Sequence, residues 1–244
     1  MDSDSFGSCG AVQKHPLTTT PPITVVGIDV GGARKGFHAV ALRDGVYAGQ
    51  LRSRDVEELS HWCRSVIGAS AIAIDAPCRW STTGRVRPCE RELMQQGIFC
   101  FATPSREKAE QHPSGYFDWM RRGADLYQAL VDSHPLLTNL PCPGQRCCFE
   151  TFPHAITWHL RNGEAKARQK RPQRTALLTQ AGISTAPLTN IDLIDAALCA
   201  LTAHRVASGA VCLAFGEPDT GLIVVPARPG AKCETGLDRA DLAE

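Results

Sequence analysis

The stretch Ile23 to Leu42, reading ITVVGIDVGGARKGFHAVAL, constrains this chain more than any other. An apolar run from Ile23 to Ile28 delivers one carboxylate, Asp29, and Gly31-Gly32 follow at once. A second apolar run, Phe37 to Leu42, comes soon after. The pattern predicts a β-hairpin whose first strand carries an acid near its end. A carboxylate inside such a run is costly to bury unless it is paired or binds a cation. The two glycines permit a tight turn and a close approach to the backbone. The hairpin therefore points to a site for a metal ion or a phosphate.

Further acids repeat the theme. Ala71 to Asp75 reads AIAID and is stopped by Ala76-Pro77, again a short apolar strand ending in a carboxylate. Glu150 follows Cys147-Cys148-Phe149. Asp192 and Asp195 lie three residues apart in NIDLIDAALCALTAHRV, so one helical face carries both beside an apolar stripe. Each acid has a blander reading: a turn acid at Asp29, a capping turn at Asp75, a first-turn helix acid at Asp192. Several acids at the ends of apolar elements nevertheless predict convergence on one hard cation. The candidate catalytic set is Asp29, Asp75, Glu150, Asp192 and Asp195, with Asp29, Asp75 and Asp195 as metal ligands. Arg34, Lys35, Arg79 and Arg91 are candidate phosphate contacts, and Arg85 and Arg87 would extend that path. Taken singly, Arg85, Arg87, Arg121, Arg122 and the run from Lys166 to Arg174 read as solvated charge.

Composition limits the alternatives. The 244 residues carry a net charge of +1, so bulk charge does not announce a nucleic-acid partner, and binding of that kind needs a local basic patch. The eleven cysteines are scattered, without a CxxC pair, and the odd total with no secretory signal argues against a disulfide framework. Cys142, Cys147 and Cys148, with His134 and His154 nearby, match no common zinc spacing and read as reduced thiols of a cytoplasmic protein. No apolar segment is long enough to span a bilayer.

Along the chain, residues 1–22 are rich in Ser, Thr, Gly and Pro and are expected to form a flexible tail, as is the segment 227–244. Between them, strands are predicted at Ile23–Val30, Gly36–Leu42 and Val46–Leu51, the last two joined by an Asp44-Gly45 turn. A helix over Asp55–Ile67 and a strand over Ala71–Asp75 follow. This order predicts a mixed sheet in which the fourth strand lies parallel to an earlier one. Residues 77–144 are expected to form a helical insertion, with helices at Pro88–Gln96 and Tyr116–Asp132, acting as a lid or substrate-contacting surface. A short strand at Phe149–Phe152 and helices at Pro153–Asn162, Pro172–Ala181 and Ile191–Ala207 come next, the last capped by Asn190. The chain closes with a hairpin of Val211–Phe215 and Leu222–Val225.

This sequence of elements resembles the RNase H-like fold. Within it, the chain is similar to family 429 of the domains of unknown function, whose members are described as predicted RNase H-like nucleases. The pieces that carry the resemblance are GIDVGGARKGFHAVAL, IAIDAP, RPCERELMQQGIFCFATPS, ETFPHA and NIDLIDAALCALTA, spread from about Ile23 to Pro226. It implies an α/β fold with a mixed five-stranded central sheet flanked by helices. It makes Asp29 the first-strand acid, Asp75 the fourth-strand acid and Asp195 the terminal-helix acid. Asp192 resembles the extra acid of resolvase-type members, and Glu150 matches the family's Glu before an x-x-Pro.

The chemistry expected of such a site is phosphodiester hydrolysis with Mg²⁺ or Mn²⁺, for which all-oxygen carboxylate ligands are suited. Nucleic acid, DNA or RNA, is the expected partner. Two other readings stand beside it. The acid–Gly-Gly hairpin also occurs in actin-like kinases, where the turn cradles ATP phosphates; those enzymes generally need two such domains, and this chain has one copy of the signal. The other is a non-catalytic module that keeps the fold and binds a partner.

Overall fold

A computed structural model describes residues 21–140, 142–228 and 230. The expected tails, 1–22 and 227–244, fall almost wholly outside the described residues. Seven strands form one sheet: β1 (Thr24–Val30), β2 (Phe37–Arg43), β3 (Val46–Ser53), β4 (Ala71–Asp75), β5 (Cys147–Glu150), β6 (Cys212–Glu217) and β7 (Gly221–Pro226). Their spatial order is β3-β2-β1-β4-β5-β7-β6. Strands β1, β2 and β3 form an antiparallel meander, β1 lies parallel to β4, and β4 lies parallel to β5. The turn between β2 and β3 takes positive φ at both Asp44 (50°) and Gly45 (79°), the backbone that a two-residue hairpin turn demands.

The five-stranded expectation is corrected here. The terminal hairpin does not stand apart, because β7 pairs in parallel with β5 at Glu150↔Ile223 and β6 then forms the outer edge. All six residues of β7 are buried. A strand apolar on both faces belongs inside a sheet.

Seven helices flank the sheet among the described residues: α1 (Val56–His61, continued by a π turn to Val66), α2 (Pro88–Gln95), α3 (Arg106–Glu110), α4 (Asp118–Leu130), α5 (Pro153–Leu160), α6 (Lys170–Gln180) and α7 (Ile191–Ala207). Only α3 was not foreseen; it is a single turn and a half, capped by Ser105. Helices α2 to α4 fill the expected insertion between β4 and β5.

Strand alternation decides what faces what. Val26, Ile28 and Val30 of β1 pack with Ile72 and Ile74 of β4 and with Leu126 and Leu130 of α4. The other parity, Val25 with Ala71 and Ala73, faces α7. Asp29 and Asp75 share that second parity. Helix α7 crosses β1, β2 and β4, and is buried nearly all round from Leu193 to Ala203. Gly27 is what lets it sit so close. A Cβ added there would fall 2.0 Å from the backbone N of Ala200 and 2.1 Å from the carbonyl O of Ala196. Neither neighbour is a side chain that can swing away. Gly27→Ala should therefore destabilise the protein by about 1–3 kcal/mol and lift α7 off β1. Chemical denaturation measures the loss; unchanged stability would contradict this packing.

Candidate metal centre

The site is built at the C-terminal ends of β1 and β4. Asp29 and Asp75 are register partners on these adjacent parallel strands, so the two carboxylates stand side by side on the α7 face. Across the hairpin, Asp29 is paired with His38 of β2. Above them stands the first turn of α7, where Asn190 caps the helix by accepting a hydrogen bond from the Leu193 N–H at 2.8 Å. The cap fixes where the helix starts, and so delivers Asp192 and Asp195 over the strand ends.

Ligand atoms from Asp29, His38 and Asp192 all lie within 4.8 Å of one another. His38 is buried at 6% exposure. Its Nδ1 has no hydrogen-bond partner, and Nε2 has only the Asn190 side-chain amide at 3.5 Å. Burial lowers the imidazole's pKa, which keeps it neutral and able to donate a lone pair.

The electrostatics of the group are unfavourable on their own. Burial first, then the charges of Asp195 and Asp192, push the Asp29 carboxyl up to about 8. Asp75 is raised well above the ordinary carboxylate value, by burial and then by Asp29 and Asp195. Asp195 is raised by burial, against the attraction of Arg174. Two cations partly offset this. Lys35, in the turn after β1, donates from Nζ to both oxygens of Asp192 at 3.0 and 3.3 Å. Arg174 of α6, itself buried, donates to Asp195. The Lys35 side chain is 63% exposed, so its ammonium is a displaceable cation over the carboxylates.

The turn that carries Lys35 is held by hydrogen bonds from Gly31 N to Gly36 O (2.8 Å) and from Lys35 N to Gly32 O (3.0 Å). Gly36 has φ of +71°, and Gly31 meets the Lys35 Cβ at 2.6 Å for an added Cβ. Gly32 is under no such constraint, so the requirement for glycine falls on Gly31 and Gly36.

Of the residues expected from sequence, Asp29, Asp75, Asp192, Asp195 and Lys35 are brought together. Arg34, Arg79 and Arg91 are exposed, but Arg91 lies on α2, which packs against β6 at the edge of the sheet away from β1. Glu150 belongs elsewhere. Its register partner on β4 is Ile74, one residue short of Asp75, so alternation turns it to the opposite face. There both its oxygens are held by Arg87, at 2.7 and 2.9 Å, and the Cys78 N–H adds a third bond at 2.9 Å. Arg87 is thus buried, not solvated, and Arg174 corrects the same expectation for the basic run. His38 and Arg174 were not foreseen as parts of the site. The signal for His38 lay in the hairpin register, which places it opposite Asp29. For Arg174 it lay in the spacing to Leu177 and Leu178 on the buried face of α6.

The cysteine–histidine group near residue 142 forms no cluster of three ligands among the described residues. His134 instead sets its Nε2 2.8 Å from the carbonyl of Ala69. The nine described cysteines are free. No helix among the described residues is long and apolar enough to cross a membrane.

Comparison with known proteins agrees with the family noted above. The family model described as "Protein of unknown function (DUF429)" matches residues 27–220, and the chain belongs to this family. No curated protein matches, and no solved structure matches.

Proposed function

We propose that this member of the DUF429 family is a metal-dependent phosphodiesterase acting on nucleic acid, built on an RNase H-like core. The observation that carries the reading is the convergence of Asp29, His38 and Asp192 within 4.8 Å, with Asp75 in register beside Asp29. Four carboxylates crowded into a half-buried site repel one another, and a divalent cation is the chemical partner that relieves this. The donor set fits one: carboxylates suit Mg²⁺ or Mn²⁺, and a neutral imidazole shifts the preference toward Mn²⁺.

In this reading Asp29, Asp192 and one ring nitrogen of His38 would hold the ion, and Asp75 would be available to a second. Bound there, such ions supply an activated water and charge neutralisation at phosphorus. The chain's own residues do the rest. Arg174 holds Asp195 in place and favours its ionised form against the effect of burial. Lys35, exposed over Asp192, would be free to meet a phosphate, and exposed Arg34 and Arg79, in the segments after Asp29 and Asp75, would attract the polyanion.

The test is an activity screen of the purified protein with single- and double-stranded DNA and RNA, in Mg²⁺, in Mn²⁺ and in chelator. Metal-dependent cleavage, faster in Mn²⁺, is the expected result. Absence of cleavage on every substrate would move the reading to the non-catalytic module.

A further inference from the structure

A second feature lies at the same edge of the sheet, on the α4 side. A small cleft of about 50 Å³ opens past the ends of β4 and β5, and its lining includes Asp75, Arg87, Glu150, Phe101, Trp119 and Phe152. Asp75 therefore borders both the acidic group and this cleft. The rim is aromatic to a degree unusual for a surface. Phe101, in the lining, is 65% exposed, and Tyr116, which packs against it, is 52% exposed. Phe101 is held by edge contacts from Tyr116 at 6.4 Å and Trp119 at 6.3 Å between ring centroids. These are large apolar rings kept in solvent beside a charged site, where exposed patches mark binding.

The floor is an internally bonded ion cluster. Arg87 donates from Nε to Glu90 at 2.9 Å and from both terminal nitrogens to Glu150, while the Thr103 N–H donates to Glu90 at 3.1 Å. Two buried glutamates thus share one guanidinium and backbone donors, which leaves the floor with a net negative charge, so the uncharged face of a base suits it better than a phosphate. Exposed Arg79 and Arg85 lie on the segment between β4 and α2 that borders the cleft.

We propose that this cleft is a stacking site for an unpaired nucleobase, so that the substrate is single-stranded nucleic acid. The base stacks on Phe101 at the rim, and its phosphate runs past Asp75 to the acidic group. A base inside a duplex cannot present its face to Phe101, whereas an unstacked one can, in any sequence. The inference rests on the phosphodiesterase reading of the acidic site, but its test does not.

The test is fluorescence anisotropy of a fluorescein-labelled single-stranded DNA of about fifteen nucleotides in chelator, where nothing is cleaved, beside the same sequence as a duplex. Wild-type protein should bind the single strand more tightly than the duplex. Phe101→Ala should weaken single-strand binding by about tenfold and leave duplex binding unchanged, and Phe101→Trp should restore it. Because Phe101 is exposed, neither variant should lose its fold. Single-strand binding that ignores Phe101→Ala, or a duplex that binds equally well, would overturn the proposal. An apolar peptide that binds through Phe101 while the oligonucleotide does not would overturn it too. Phe101-dependent binding without cleavage in metal would support the stacking site and remove the phosphodiesterase reading alone.

Discussion

Asp29→Asn should abolish metal-dependent cleavage and, in chelator, make the protein more stable. The two effects have one cause. Asp29 sits among Asp75, Asp192 and Asp195, and in the metal-free protein its carboxyl is pushed up to about 8 from an ordinary 3.8. A folded-state pKa above the unfolded one means that the native protein holds the proton longer. Its contribution to stability is fully present below about pH 4 and is lost as pH rises through about 8. At neutral pH the loss amounts to roughly 2–4 kcal/mol. The amide has no proton to lose, so Asp29→Asn removes this slope. Denaturation in chelator at several pH values should show wild-type stability falling between about pH 4 and 8, with the variant flatter and more stable at the upper end. Cleavage should fall by about a thousandfold or more, as expected when a metal ligand is lost rather than a substrate contact. A variant that still cleaves at the wild-type rate, or that is less stable than wild type in chelator at pH 8, would show that Asp29 is a structural acid.

Arg87→Met should be the most damaging single change to folding away from the acids. The Arg87, Glu90 and Glu150 side chains are 2%, 2% and 6% exposed. The substitution leaves two buried carboxylates without their shared cation. Breaking such a pair from one side costs about 3–5 kcal/mol, which corresponds to a fall in Tm of about 10 °C for a chain of this size. Removing the other partner as well, in Arg87→Met/Glu150→Leu, should recover part of the loss, because no charge is then stranded at position 150. Thermal melts followed by circular dichroism give both values. A single variant within about 1 °C of wild type would show that water reaches the network and that the cleft floor is not closed by it.

These two sites also show what was legible in the chain. Asp29 and Asp75 could be read because each ends an apolar strand, and one-dimensional alternation is enough to place both on a common face. The α7 acids could be read because Asn190 and the apolar run after it define a helix start without outside help. Glu150 carries the same local signal, an acid ending a buried strand, yet faces the other way. Which face it takes depends on register against β4, and register is a tertiary fact. His38 lies in an apolar strand and gives no sign by itself; its meaning comes from standing opposite Asp29 across the hairpin. Arg87 and Arg174 sit in arginine-rich stretches where solvated charge is the ordinary reading, and only burial beside a carboxylate separates them from their neighbours. The two extra strands of the sheet were present in sequence as a hairpin. What could not be read was that β7 completes the open edge of β5.

The proposed function requires that Asp29, Asp192 and His38 bind a divalent ion. The most direct measurement is electron spin echo spectroscopy of Mn²⁺ added to the protein. Imidazole is the only nitrogen donor in the proposed ligand set. The predicted result is one tightly bound Mn²⁺ whose echo is modulated by a directly coordinated nitrogen, with the modulation lost in His38→Ala and tight binding lost in Asp29→Asn. Failure to bind Mn²⁺, or a nitrogen modulation that survives His38→Ala, would contradict it.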